Sequence, residues 1–227
     1  MSERGHPLSF PEASSYWPIR FVGDPRWLSL MLTRWDGTRR DPKSAVHSIS
    51  YDYRVAEFMY GVVRASRPTR LVETGVHVGR TSLALLAALQ RNRSGQLVSI
   101  DLPKTEGWVN ADGRVDLSHV SRPEATGYLV PNSLKARWDL RLGDAKVLLP
   151  EAVSDGVDFF LHDSDHSYEH QTFEYRTVWP KLAVGGVFLS DDTDWGPAWT
   201  EFLAQHPGEW DALPDGPRAI RAVRKIR

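Results

Sequence analysis

The stretch Leu71-Val-Glu-Thr-Gly-Val-His-Val-Gly-Arg-Thr-Ser82 limits the fold more than any other part of the chain. A short apolar run ends at Gly75, a second glycine follows at Gly79, and helix-forming residues come next. That order reads as a buried strand, a glycine turn and the start of a helix. Gly75 and Gly79 let the backbone approach a ligand where a side chain would block it. Glu73 stands where the strand ends. A phosphate cradle presents N–H donors and keeps anions away. An acidic strand end suits a ligand that carries positive charge beside a nucleoside. The dinucleotide fingerprint G-x-G-x-x-G is absent, because His77 stands where its second glycine belongs. The P-loop is absent too: Gly75 and Gly79 are too close together, and Arg80 takes the place of its lysine. The plain alternative is an ordinary strand-to-helix turn.

A regular alternation follows. The predicted strands are 71–74, 97–101, 137–142, 157–162 and 186–190. Helices are expected near 79–91, 144–152, 166–179 and 195–205, the third with Tyr168, Thr172, Tyr175 and Trp179 on one face. Before the first strand, residues 51–66 place Val55, Phe58, Met59, Val62 and Val63 at helical spacing, and Pro68 stops that helix. Glu209–Leu213 and Arg218–Ile226 read as a final antiparallel pair, although Arg218, Arg221, Arg224 and Arg227 recur every three residues, as in a helix. Strands alternating with helices give an α/β fold: a doubly wound, mostly parallel sheet covered on both faces. Residues 1–50, with a short helix over Pro25–Trp35, read as an N-terminal arm or lid, and residues 51–227 as one domain. The stretch 102–135 is irregular and long, which in a compact domain points to function or disorder.

The chain has 227 residues with a net charge of -1, so bulk charge offers no case for nucleic acid or an anionic membrane. It has no Cys, hence no disulfide, thiolate metal site or thiol nucleophile. The start, Met1-Ser-Glu-Arg-Gly-His-Pro, lacks the apolar core of a signal peptide. A cytoplasmic location is expected, and the sequence leaves a homo-oligomer open. Nine Trp is a high count. Trp17, Trp27, Trp35, Trp108 and Trp195 fall outside the predicted sheet, where aromatics can line a ligand cleft; for most of them packing of peripheral segments onto the core is the expected role.

In open α/β sheets ligands bind beyond the carboxyl ends of the strands. Asp101 ends the second strand and suits a pair of ribose hydroxyls. Asp144 follows the third and suits an adenine amine, or caps the next helix. The fourth strand runs into His162-Asp-Ser-Asp-His-Ser-Tyr168, the fifth into Ser190-Asp-Asp-Thr-Asp194. Adjacent parallel strands bring Asp163, Asp191 and Asp192 together. Three close carboxylates repel one another, and a hard divalent cation such as Mg²⁺ would relieve that repulsion. Caps and turns are the plain reading of the same acids. His162 and His166 with Asp163 or Asp165 suggest a different site for Zn²⁺ or Fe²⁺, without matching a strong motif.

Taken in order, these motifs give the chain its resemblance. Val72–Ser82, Ile100-Asp101, Gly143-Asp144, Phe159–Glu169 and Val184–Asp192 together are similar to class I S-adenosylmethionine (SAM)-dependent methyltransferases, in particular the family-24 type that includes relatives of macrocin O-methyltransferase and the cephalosporin hydroxylase family. The resemblance covers about Arg70 to Asp192. It implies a seven-stranded sheet and a SAM site drawn from Glu73, Thr74, Gly75, His77, Gly79, Thr81, Ser82, Asp101, Asp144 and Asp163. It also implies a metal on Asp163, Asp191 and Asp192. Metal-dependent catechol-type enzymes carry a lysine three residues after the first metal Asp; here that place is His166. With Asp163, it is the expected catalytic residue. His162 stands where the usual pattern has an apolar residue.

The expected function is metal-assisted O-methylation of a small-molecule hydroxyl, natural-product or sugar-like, with SAM as donor. Two alternatives stay open. One is a metal-dependent oxidoreductase or hydrolase using His162 and His166. The other is a non-catalytic SAM-binding module.

Overall fold

A computed structural model of the chain describes residues 42–103, 108–109, 115–116 and 126–227. Most of the expected arm, including the helix over Pro25–Trp35, lies outside the described residues. The first element, α1 (Pro42–Ser66), starts before residue 51 and runs across the expected boundary. Of the five positions its periodicity singled out, it buries Phe58, Met59, Val62 and Val63 and leaves Val55 partly buried. It stops one residue before Arg67, which turns left-handed with φ 50° ahead of Pro68.

The remaining elements follow the predicted alternation: β1 (Arg70–Thr74), α2 (Arg80–Asn92), β2 (Gln96–Asp101), β3 (Trp108–Val109), β4 (Val115–Asp116), β5 (Trp138–Leu142), α3 (Ala145–Ala152), β6 (Val157–His162), α4 (Tyr168–Val178), β7 (Leu182–Ser190), α5 (Ala198–Ala204), β8 (Trp210–Ala212) and β9 (Arg221–Lys225). Seven strands form one sheet in the order β5-β2-β1-β6-β7-β9-β8. The five from β5 to β7 are parallel, and β9 and β8 close the edge antiparallel. The final antiparallel pair is therefore present, and Arg221 and Arg224 ride on a strand rather than a helix. Within the irregular stretch, β3 and β4 pair as a separate antiparallel ribbon.

Strand side chains alternate between faces, and the two cores show it. Leu71, Phe159, Leu161, Val187 and Leu189 pack against α1 and α2. Their neighbours Val72, Phe160 and Phe188 pack on the other face against α3, α4 and α5. Each fully buried Leu or Phe contributes on the order of 2 kcal/mol through apolar burial. Helix α2 is buried on most sides, with Leu83, Ala84, Leu85, Leu86, Ala88 and Leu89 all inaccessible, because α1 covers what the sheet does not.

Two details differ from the sequence reading. Strand β7 begins at Leu182, although only its Gly186–Ser190 half, the predicted strand, is continuously buried. Helix α4 buries Gln171, Glu174, Tyr175 and Val178, while Tyr168 is exposed. The buried stripe includes a glutamate, and its reason lies in the site below. Among the described residues no helix is long and apolar enough to cross a membrane.

Candidate active site

The strands β1, β6 and β7 end level with one another: Thr74 pairs with His162, and His162 with Ser190. The ladder runs one residue further, since Asp163 N donates to Thr74 O at 2.9 Å and Asp191 N to His162 O at 2.9 Å. Gly75, Asp163 and Asp191 therefore emerge side by side. Gly75 has φ 85° and Gly79 φ 87°, both in the region that favours glycine. A Cβ on Gly79 would lie 2.8 Å from Gly127 Cα. Residues 126–130 strap the turn from outside, with Gly127 N donating to His77 O at 2.8 Å and Leu129 N to Val78 O at 3.1 Å.

The expected cofactor residues separate into two sets. Near the cleft, Asp101 accepts a hydrogen bond from His77 N at 3.2 Å, so one carboxylate oxygen helps hold the glycine turn. Burial raises its pKa, and amides of the turn oppose that rise. Gly79 opens α2 with no side-chain cap, and Thr81 is half-buried in its first turn. Asp144 caps α3 by accepting from Lys146 N at 2.8 Å. The second set turns into the protein. Glu73 is fully buried and accepts from Ser82 and from Ser99, the latter at 2.6 Å. Burial pushes its carboxyl up to about 7 despite those two hydroxyls. Thr74, on the opposite face, donates to Glu174 at 2.6 Å. Glu73, Thr74 and Ser82 thus brace the turn from beneath.

Asp163, Asp191 and Asp192 do come together. Burial, followed by Asp191 and Asp192, raises the Asp163 pKa well above the usual carboxylate range, and Asp163 and Asp191 sit close enough to share a proton. Burial, with Asp191 and Asp194, raises Asp192 to about 6. His166 Nε2 lies 3.8 Å from Asp192 Oδ2, and the rings of His166 and Trp195 are 5.3 Å apart. Trp195 is 68% exposed, so it is not one of the tryptophans that pack on the core.

His162 receives an account that the sequence withheld. It is fully buried, and its Nδ1 lies 2.7 Å from Glu174 Oε2. The same carboxylate accepts from Ser164 Oγ at 2.9 Å and meets His170 Nε2 at 2.8 Å. Burial works against ionising Glu174, but His162 and His170 outweigh it and hold the group down to about 2. An ionised Glu174 can only accept, so His162 carries its proton on Nδ1. Four groups from β1, β6, the loop after β6 and α4 converge on one buried carboxylate. A lone Glu in an amphipathic helix gives no sequence signal for that role, nor do Ser164 and His170. Neither metal reading, the three acids or the two histidines, finds a ready-made site among the described residues. The rings of His162 and His166 meet edge to face at 5.3 Å. Among the described residues, no group of three or more His, Asp or Glu is arranged to hold a metal ion.

A second cation was also missed. Arg218, on the turn into β9, places Nη2 3.0 Å from Asp192 Oδ1 and Nη1 3.8 Å from Asp191 Oδ2. In the sequence it is one of four spaced arginines.

A glycine turn after β1, an acid after β2, acids after β6 and β7, and an antiparallel β9 at the edge define a class I methyltransferase fold. A methyltransferase-domain family, family 24, matches residues 72–193, more than half of the chain. The chain belongs to this family of SAM-dependent methyltransferases. Solved structures share the fold. The SAH-bound methyltransferase PaMTH1 of Podospora anserina is 15% identical, with 96% of this chain and 95% of that one covered and a TM-score of 0.55. TomG of Streptomyces achromogenes, an O-methyltransferase of tomaymycin synthesis solved with SAM, is 14% identical over 76% and 79%, TM-score 0.55. The O-methyltransferase NovP is 21% identical over 79% and 81%, TM-score 0.56. A comparison with curated protein sequences finds no match.

Proposed function

We propose that this protein binds SAM over the β1 turn and transfers its methyl group to the hydroxyl of a small molecule held at Asp163, Asp191, Asp192 and His166. The supporting observation is the level ending of β1, β6 and β7, which sets those residues beside the glycine turn. TomG, NovP and a Bacillus cereus enzyme of the same fold are O-methyltransferases, which favours oxygen as the acceptor atom. Gly75 and Gly79 let the turn keep its left-handed backbone packed against Asp163 and Gly127, and Asp101 and Asp144 offer carboxylates to ribose and adenine. The fully buried Glu73 supports the turn.

The acid set fits a divalent cation in its chemistry. All donors are oxygens, the neighbouring acids raise the pKa of Asp163 and Asp192, and Asp191 Oδ1 is buried without a hydrogen-bond partner. Asp163, Asp191 and Asp192 would hold such an ion, which when bound lowers the pKa of a coordinated hydroxyl. The rest falls to the chain. His166 Nε2 takes the hydroxyl proton as the oxygen attacks the sulfonium methyl, a role suited to imidazole near neutral pH. The S–CH₃ bond breaks, an O–CH₃ bond forms, and S-adenosylhomocysteine leaves. Asp192, beside Nε2, steadies the imidazolium.

Titration calorimetry with SAM, followed by methyl transfer to a panel of phenols, catechols and glycosides, tests this reading. Micromolar SAM affinity with turnover supports it. SAM binding without turnover on any acceptor would favour the non-catalytic module, and an absence of SAM binding would reject both. Asp163→Asn should lose turnover and keep SAM affinity. His166→Ala should lower turnover and flatten its pH profile; an unchanged profile removes His166 as the base.

A further inference from the structure

The glycine turn and the first acid of the site touch at one place, and Glu174 holds the chain on both sides of it. A Cβ on Gly75 would overlap Asp163 O and lie 2.9 Å from Ser164 N. Thr74, just before Gly75, donates to Glu174 Oε2 at 2.6 Å. His162, just before Asp163, sets Nδ1 2.7 Å from the same oxygen. Ser164, just after Asp163, donates to Oε1 at 2.9 Å. His170, one turn earlier on α4, sets Nε2 2.8 Å from Oε1. An ionised carboxylate offers about four lone-pair positions, and these four donors fill them. Glu174 is fully buried, so it acts only through these neighbours.

The turn has other anchors on its far side. Gly75 N donates to Ile100 O at 2.8 Å, Glu73 accepts from Ser82 and Ser99, and Asp101 accepts from His77 N. Those bonds tie the turn to β2 and α2, and none of them reaches β6. The last backbone rung between β1 and β6 runs from Asp163 N to Thr74 O. Beyond it the two chains leave the ladder, and Thr74 and Ser164 meet again on the Glu174 carboxylate. Building on methyl transfer as the reaction, we propose that Glu174 is a positioning residue: by holding Thr74, His162 and Ser164 on one carboxylate, it sets the reach from the cofactor turn to the acceptor at Asp163. Group transfer is sensitive to that reach, since a displacement of about 1 Å costs on the order of 10²-fold in rate. The same strands have a second clamp at their other ends. Asp158 on β6 accepts from Thr69 N at 2.9 Å, from Thr69 Oγ1 at 2.8 Å and from Arg70 N at 2.8 Å. It joins the strands without touching the site.

The test compares Glu174→Asp, which keeps the charge one methylene short, with Asp158→Asn as the control clamp. The full chain is used, at a temperature where each variant is folded by circular dichroism. SAM affinity is read by calorimetry, and kcat and KM on an acceptor that wild type methylates. Glu174→Asp should lose about thirtyfold or more in kcat while SAM affinity stays within roughly threefold. Asp158→Asn should keep kcat within about twofold. Where Glu174→Asp does not fold, Ser164→Ala replaces it; it removes one bond of the four and should lower kcat roughly threefold or more with SAM affinity unchanged. An unchanged kcat, a loss of SAM affinity as large as the loss of kcat, or an equal kcat loss in Asp158→Asn overturns the role. Amide NMR of the protein without SAM reads the geometry directly. Glu174→Asp, or Ser164→Ala in its place, should move the Gly75 and Asp163 signals and leave those of Asp144 and Asp158 unmoved. If wild type methylates no acceptor, the methyl-transfer reading fails and these signals decide the clamp by themselves: unmoved Gly75 and Asp163 overturn it, and moved ones sustain it.

Discussion

Gly75 lies against the backbone carbonyl of Asp163, so close that a Cβ at position 75 would overlap that oxygen. The turn that opens the cofactor cleft and the first acid of the reaction site are thus packed backbone to backbone. Glycine is required twice over, once by the neighbour and once by φ 85°.

Gly75→Ala should therefore damage both halves of the site. A left-handed alanine costs about 1–2 kcal/mol before any overlap is relieved. Relief moves Asp163, so SAM affinity and turnover should fall together, each by tenfold or more. Urea unfolding and SAM calorimetry check this; wild-type values for both would show that the turn relaxes freely.

Glu174→Gln should be among the most destabilising conservative changes in the chain. The amide places an NH₂ among Thr74, Ser164, His162 and His170, all now bonded to one carboxylate. Breaking a buried ionic pair on one side costs roughly 3–5 kcal/mol. In wild type, the folded pKa near 2 lies below the ordinary 4.5. The contribution is complete above pH 4.5 and is lost as pH falls towards 2. Denaturant midpoints from pH 7 down to 3 should converge between the two proteins.

Glu73 carries the opposite sign. Its folded pKa of about 7 exceeds the ordinary 4.5, so the native state holds the proton more tightly than the unfolded chain. Stability is lost as pH rises from 4.5 to 7, by roughly 3 kcal/mol. Glu73→Gln removes that slope. Without cofactor, the variant should gain on wild type between pH 5 and 8 in thermal unfolding; parallel curves would mean that Glu73 ionises without penalty.

Trp195→Ala should leave stability within about 0.5 kcal/mol, as for most exposed side chains. The indole stands exposed at 68% with its ring 5.3 Å from His166. An acceptor approaching His166 meets that surface. KM for the acceptor should rise severalfold, with SAM affinity unchanged; an unaltered KM would place the acceptor elsewhere.

The strands were legible because burial on both faces leaves continuous apolar runs, as in Val157–His162. The final hairpin was legible despite the arginine period, because Ala222 and Val223 supply buried strand residues. The meeting of Asp163, Asp191 and Asp192 followed from topology alone, since neighbouring parallel strands that end level must deliver their next residues to one place. Orientation was less legible. Glu73 stood in the right motif, but whether its carboxylate faced the cleft or α2 depended on packing around Ser82 and Ser99. The same limit hid Trp195, whose exposure depends on the path of a turn.

The sequence by itself determined the alternation of strands and helices, the glycine turn and the acids at the strand ends, because each follows from local spacing and backbone preference. Only the tertiary structure decided that Glu174 gathers Thr74, His162, Ser164 and His170, and that Arg218 reaches Asp192. Those partners are far apart in the chain for most pairs, and no local pattern encodes them. They meet because a buried carboxylate must find donors and clustered acids must find a cation, wherever the fold brings one within reach.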